Sequence, residues 1–168
     1  MPTRKRSIRP KKRAATTESR HPRKLPVGPA ERAALERLRA ICMALPEVTE
    51  KIAWGESTWR AGKMFAQMDT HHHGAAHQAV WLPARPGVQE ALVEEDPTHF
   101  FRPPYVGHRG WIGVRIDNKP DWKVVAGLVE EAYREVASPK LVDTLDAARQ
   151  KPKRGWRAGW IADADDDG

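Results

Sequence analysis

The stretch FFRPPYVGHRGWIGVRI, Phe100–Ile116, decides the fold. After a turn at residues 107–110, every second residue of this stretch is aliphatic, which is the pattern of a β-strand. The aliphatic residues share one parity: Ile112, Val114 and Ile116. Trp111 and Arg115 share the other. Successive side chains of a β-strand point to opposite faces of the sheet, so the aliphatic face should pack under helices. We expect Trp111 and Arg115 to lie on the opposite, open face.

Hydrophobic periodicity on both sides of this stretch predicts the remaining elements. A helix over ERAALERLRAICMAL follows Pro29, and three strand-like segments come next, KIAWG, STWRAGKMFAQM and QAVWLPA. A short helix over GVQEALVEED, two strands over FFRPPY and GWIGVRID, and a helix over DWKVVAGLVEEAYREVA capped by Asp121 complete the pattern. LVDTLDAARQ either extends that last helix or adds a turn or two after Pro139.

This order, helix–three strands–helix–two strands–helix, indicates the α+β class. Most strands are separated by too few residues for a crossover helix, so the sheet should be largely antiparallel, with helices on one face. We expect a disordered basic tail over residues 1–28, an α+β domain over 29–148 and a second tail over 149–168.

The basic character of the chain belongs to its first tail. The whole chain has a formal net charge of +7, but residues 1–24 hold ten Lys and Arg against the single acid Glu18, a charge of +9 that leaves −2 for the rest. Such a tail would bind a polyanion without sequence preference. A wrongly assigned start site is the alternative. The cations predicted to bind are Arg4, Lys5, Arg6, Arg9, Lys11, Lys12 and Arg13.

Several classes of protein are disfavoured by the sequence. It contains no apolar run of the ~20 residues that a membrane span needs and no apolar segment typical of a secretory signal. A single cysteine, Cys42, cannot form an internal disulfide, which favours the cytoplasm, and its place in a helical apolar stripe predicts a buried, inert thiol. The acidic run Glu94–Asp96 is best interpreted as solvated charge rather than as an acid–base pair.

Four histidines in a predicted hairpin loop, His71, His72, His73 and His77, could catch a metal ion. A dedicated site needs supporting ligands, and no Cys or Glu lies at a suitable spacing, so an exposed turn is favoured. We therefore predict no metal, no cofactor and no catalytic residues.

Three segments resemble the MmcQ/YjbR family: ALPEVTEKIAWGESTWRAGKMFA, PGVQEALVEEDPTHFFRPPYVGHRGWIGVRID and DWKVVAGLVEEAYREVASPK. The resemblance covers approximately Glu31 to Lys140 and is most specific in TWR–GKMFA and PPYVGHRGW. It implies a small α+β fold of the YjbR/CyaY-like kind, shared with secretion chaperones, and a DNA-binding protein with a "double wing" arrangement. It implies no catalytic residue, and both tails lie outside it.

The leading prediction is a non-enzymatic, cytoplasmic protein that binds nucleic acid through an aromatic and basic sheet face. DNA is favoured over RNA as the partner. Parity in QAVWLPA places Trp81 on that face as well. The residues predicted to make contact are Trp59, Arg60, Lys63, Arg102, Tyr105, His108, Arg109, Trp111 and Arg115. An ordinary core edged by solvated arginines would look similar, and a protein-interaction or chaperone-like module is the alternative function; an enzyme comes third.

The C-terminal segment contains PKRGWR, Pro152 to Arg157, which is similar to a minor-groove-binding AT-hook except that Trp156 stands where the second arginine belongs. Trp156 and Trp160 could instead fold back onto the domain.

Overall fold

The structure is a computed structural model that describes residues 28–70 and 76–150. Predictions made for the N-terminal tail, for His71, His72 and His73, and for residues 151–168 lie outside the described residues. The strands are β1 (Thr49–Ala53), β2 (Glu56–Ala61), β3 (Lys63–Thr70), β4 (Gln78–Pro83), β5 (Phe100–Phe101) and β6 (Trp111–Arg115). The helices are α1 (Pro29–Met43), α2 (Val88–Glu95), α3 (Trp122–Val136) and α4 (Pro139–Gln150), with a short 3-10 helix at Gly107–Arg109.

The described strands form one sheet in the order β1-β2-β3-β4-β6-β5, and every neighbouring pair is antiparallel. The α+β class and the antiparallel sheet are thus confirmed. β4 pairs with β6, and β5 adds to the outer side of β6. The sheet consequently places the ends of strands that are distant in sequence side by side.

The predicted element order is wrong in its strands before α2. The segment STWRAGKMFAQM is a hairpin of β2 and β3, not one strand, and it turns at Gly62 with φ +77°, a conformation that favours glycine. The pairing shifts between Trp59 and Arg60, so that Trp59 faces Ala66 while Arg60 faces Met64. This bulge leaves Phe65 as an extra residue, so the alternation of side chains between the two faces is interrupted there.

The second part of the chain differs in two details. β5 is only two residues long, because Pro103 and Pro104 follow closely and cannot donate to a strand ladder. LVDTLDAARQ forms a separate helix, α4, since Ala137 is extended (φ −67°, ψ 149°) and ends α3 before Pro139. The cap on α3 is confirmed: the Asp121 carboxylate accepts the Lys123 N–H at 2.8 Å.

The core lies between one face of the sheet and the helices. It contains the inward aliphatics of β6, as predicted, together with Leu38 and Cys42 of α1 and Val125 and Val129 of α3. Tyr133 of α3 packs edge-on against Phe65 with ring centroids 5.6 Å apart, and its hydroxyl donates to the Pro46 carbonyl at 3.0 Å. Burial, with a smaller contribution from the Glu50 charge, raises the pKa of the Cys42 thiol far above its ordinary value. None of the described helices has the length and apolarity to cross a membrane.

Candidate nucleic-acid interface

Two aromatic residues predicted to be exposed are buried. Trp59 is 0% exposed and belongs to the core, because the β2–β3 bulge places it on the same side as Phe65. Trp111 is 8% exposed, at the point where α2 is anchored to β6 by hydrogen bonds from the Gln89 amide to the carbonyls of Gly107 (2.8 Å) and Trp111. The expectation that either indole offers a stacking surface was therefore wrong.

Arg115 has the predicted parity, but a carboxylate compensates its charge. Its guanidinium donates from Nε to Asp117 Oδ1 and from Nη2 to Oδ2, both at 3.2 Å. Burial acts to raise the pKa of Asp117, yet hydrogen bonding and the Arg115 charge outweigh it and hold that pKa below its ordinary value. Asp117 therefore stays ionised at neutral pH, and Arg115 is committed to it.

The middle of the face opposite the helices is closed by a cluster that the sequence did not reveal. The buried carboxylate of Asp69 accepts the indole N–H of Trp81 at 3.0 Å and lies 3.2 Å from His77 Nε2. The His77 ring packs 5.0 Å from the ring of Phe101. Phe101 in turn covers Gly113, where an added Cβ would lie 2.3 Å from the ring. Trp81, like Trp111, is thus not an open stacking platform.

Register could have revealed this cluster. Asp69 pairs with Ala79 and Gln67 with Trp81, so the carboxylate and the indole lie on one face of neighbouring strands. His77 is half-buried beside Asp69 rather than in an exposed turn, which corrects the prediction for this histidine. Within residues 28–70 and 76–150, no three His, Cys, Asp or Glu side chains are grouped to hold a metal ion.

Four other predicted residues do gather on an exposed surface. We call this surface the basic turn: Arg102, Tyr105, His108 and Arg109, all exposed. Tyr105 is 66% exposed and has φ +64°, a left-handed conformation that bulky residues rarely adopt. No carboxylate occurs between Phe100 and Ile116.

Hydrogen bonds hold the backbone of the basic turn in place. The N–H of Gly107 donates to the carbonyl of Pro103 at 3.0 Å, and that of Val106 to Pro104 at 2.8 Å. Gln89 binds the Gly107 carbonyl from α2. A Cβ at Gly107 would lie 2.5 Å from Cγ of Arg102, so a larger residue here would displace the Arg102 side chain. The turn therefore presents its side chains from a fixed backbone.

Lys63 and the basic turn lie at the same end of the strands. The pairs Gln67–Trp81 and Pro83–Trp111 place the start of β3, the end of β4 and the start of β6 together. One strand separates β3 from β6, so the start of β3 is about 10 Å from β6. Lys63 is exposed, whereas the neighbouring Arg60 is half-buried, with a weak contact from Nη2 to the Met64 sulfur at 4.0 Å. Arg115 lies at the opposite end of β6.

Hydrogen bonds of His99 hold the Arg115 end of β6 in place. The His99 carbonyl accepts the Arg115 N–H at 2.8 Å. The His99 ring lies between two acceptors, with Nδ1 2.8 Å from the Asp96 carboxylate and Nε2 2.9 Å from the Asn118 carbonyl. Both contacts can form together only when both ring nitrogens carry protons. The Asn118 hydrogen bond, followed by that to Asp96, accordingly raises the pKa of His99, and His99 lowers the pKa of Asp96.

Comparison with known proteins supports the fold. The YjbR family model matches residues 43–135, more than half of the chain. A solved Deinococcus radiodurans protein of domain family DUF419 is similar to this chain with a TM-score of 0.54 and 17% identity, over 76% of this chain and 95% of its own. At that identity the likeness shows the fold alone. No curated protein matched the chain.

Proposed function

We propose that this chain, which belongs to the YjbR family, is a non-enzymatic, cytoplasmic protein that associates with nucleic acid, with DNA favoured over RNA. The N-terminal tail would supply most of the affinity, and the basic turn with Lys63 would be the contact surface of the domain. The observation that carries the proposal is the gathering of Arg102, Tyr105, His108 and Arg109 on one carboxylate-free turn.

The domain needs such a local surface because its total charge cannot attract a polyanion. Residues 28–70 and 76–150 contain 15 Lys and Arg against 17 Asp and Glu, a net charge of −2. The tail is different: its cations would displace the counterions condensed on DNA, a gain that requires no fixed structure. Tail and turn would therefore act at different ranges, the tail by charge and the turn by contact.

The chemistry of the basic turn suits a nucleic-acid strand. A guanidinium offers paired N–H donors to phosphate oxygens, and Arg102 and Arg109 both lie on this turn. Tyr105 offers an exposed ring on which a base can stack. His108 offers a ring N–H that can donate to a phosphate oxygen.

A titration with a short DNA duplex at several salt concentrations tests the role of the tail. If the tail neutralises about six phosphates, affinity should fall by roughly a thousandfold between 50 and 200 mM salt. Deleting residues 1–24 should flatten this dependence. A tail-deleted chain with the same salt dependence as the full chain would contradict the assignment.

A second titration tests the basic turn. In the tail-deleted chain, Arg109→Ala should reduce the salt slope by about one phosphate contact, weakening binding to all sequences alike. Tyr105→Ala should weaken single-stranded DNA more than duplex, because unpaired bases can stack. Lys140→Ala, which removes an exposed cation on α4, is the matched control. Equal losses in the turn variants and the control would exclude the turn as a contact surface.

A second candidate function, a protein-interaction module, is favoured by one observation. Ile52 and Trp54 are 70% and 65% exposed on β1 and its turn, and β1 is an edge strand of the sheet. Exposed apolar side chains beside a strand edge are typical of protein contacts. A protein partner captured from nuclease-treated extract by the full chain, and lost with Ile52→Ser and Trp54→Ser together, would favour this function; retention of the partner by that double variant would exclude this surface.

A further inference from the structure

β1 is the long edge of the described sheet. Among the described strands it pairs with β2 alone, whereas the opposite edge, β5, is only two residues long. A strand edge presents backbone N–H and C=O groups that can pair with a further strand. Ile52 in this strand and Trp54 just after it are 70% and 65% exposed. β1 is therefore the place where another chain can extend this sheet.

The turn after β1 determines which of its residues face outward. Trp54 and Gly55 have φ of +52° and +75°, and positive φ at both central residues is the mark of a type I′ turn. The two residues that flank such a turn form a hydrogen-bonded pair. Hydrogen-bonded and non-hydrogen-bonded pairs alternate along an antiparallel ladder, so the backbone N–H and C=O groups of Ile52 and Glu50 point away from β2.

The side chain of Ile52 lies on the helix side of the sheet. Glu50 is directly opposite Trp59, which belongs to the core, and directly opposite residues share a face. Ile52 has the same parity as Glu50 and lies on that face too. Arg39 of α1 binds the Glu50 carboxylate at 2.8 and 3.0 Å. A strand added to β1 would thus cover Ile52 without having to supply a cation for Glu50.

A second copy of this chain fits the edge in one register. Two antiparallel β1 strands related by a twofold axis must oppose their outward-pointing residues, Glu50 and Ile52. Three such registers overlap by at least three strand residues, with the axis at Glu50, Lys51 or Ile52. The first two place two glutamates or two lysines directly opposite each other, which is unfavourable. The third places Ile52 opposite Ile52 of the second copy, and Lys51 opposite the uncharged Ala53.

We propose that this chain forms a twofold homodimer through β1, with the two Ile52 side chains in contact at the axis and the two sheets joined into one. Such a contact uses the same edge of both copies and is therefore closed. The described edges left over are the two short β5 strands, which offer little to a third copy. The dimer does not depend on nucleic-acid binding, and it occupies the surface that a different protein partner would need.

Sedimentation equilibrium of the nuclease-treated full chain at rising concentration tests the dimer. The native chain should reach twice the mass of one chain. Ile52→Lys should keep it monomeric, because two cations would then lie opposite each other at the axis. Val124→Lys makes the same change in charge at a 45% exposed residue of α3 and should leave the dimer intact. A native chain that is monomeric at every concentration, or equal masses for the two variants, would overturn the proposal.

Disulfide cross-linking under mild oxidation tests the register. In a hydrogen-bonded pair the two Cα atoms are about 5.5 Å apart, which suits a disulfide, so Ile52→Cys should give a covalent dimer. Lys51→Cys should not, since the two copies of residue 51 lie on a diagonal, about 7–8 Å apart. Cys42 is fully buried in both variants. Cross-linking at Lys51→Cys that equals or exceeds that at Ile52→Cys would overturn this register.

Discussion

The two ends of β6 carry arginines of similar appearance in the sequence and opposite status in the structure. At the start of the strand, Arg109 is exposed on a turn without carboxylates. At its end, Arg115 is bound through two hydrogen bonds by Asp117. The carboxylate-free stretch Phe100–Ile116 stops one residue before this partner. Arginines of one carboxylate-free stretch can therefore differ in their surroundings, because the acid that pairs with Arg115 lies just outside the stretch.

The largest effect expected from this comparison concerns the aromatic residue at each place. Trp111→Ala should lower the free energy of unfolding by about 3 kcal/mol or more, because it empties a buried site. Tyr105→Ala should change it by less than about 0.5 kcal/mol, since the ring is mostly exposed. Urea denaturation of both variants measures the difference. Equal stabilities would mean that Trp111 packs no better than a surface residue.

The alternation in β6 was enough to predict its aliphatic face but not what covers the other one. Ile112, Val114 and Ile116 are in the core as expected. Burial of Trp111 depends on Gln89 and α2, and burial of Trp81 on Asp69, and these contacts join residues 12 to 22 positions apart. Parity distinguishes the two faces of a strand, yet only tertiary packing decides whether a face meets water.

The basic turn could be predicted better than the sheet face, for a physical reason. Its residues are adjacent in sequence; Pro103 and Pro104 fix φ there, and Gly110 adopts the left-handed φ of +82° that ends the turn, so its members lie together without depending on strand register. Lys63 joins them only through the register of β3, β4 and β6. That register depends on the hairpin at Gly62, whereas the pattern of STWRAGKMFAQM predicts one continuous strand.

Removal of the Asp117 charge should make the Arg115 end of β6 resemble the basic turn. Asp117→Asn removes the compensating charge, so DNA affinity of the tail-deleted chain should rise several-fold and the salt slope should grow by about one phosphate. Arg115→Ala together with Asp117→Asn should leave affinity nearly constant, because the cation and the carboxylate that compensates it are removed at once. Asp143→Asn, on α4, makes the same change in net charge and is the control. A similar gain from Asp143→Asn would mean that net charge, not the released guanidinium, sets affinity.

The smallest expected effect is a pH dependence of stability, which comes from the His99 and Asp96 contacts at the Arg115 end of β6. His99 has a raised pKa in the folded protein, so its contribution to stability is complete below its unfolded value of about 6.5 and is lost as pH rises through the higher folded value. Asp96 has a lowered pKa, so its contribution is present above its unfolded value of about 3.9 and is lost as pH falls through the lower folded one. The contribution of His99 and Asp96 to stability should therefore be greatest at pH values between these two ranges.

Unfolding measured from pH 5 to pH 8 should show this loss in the native chain and not in His99→Gln, because an amide does not titrate in this range. The ring is partly exposed, so the effect should be modest. Hydrogen exchange of the Arg115 amide, which donates to the His99 carbonyl, should quicken over the same pH interval beyond the ordinary base-catalysed increase, while the Trp111 amide, at the other end of the strand, follows that increase alone. Parallel pH dependence of the two amides would mean that β6 opens as one unit and that its two ends, though different in charge, are not independent in stability.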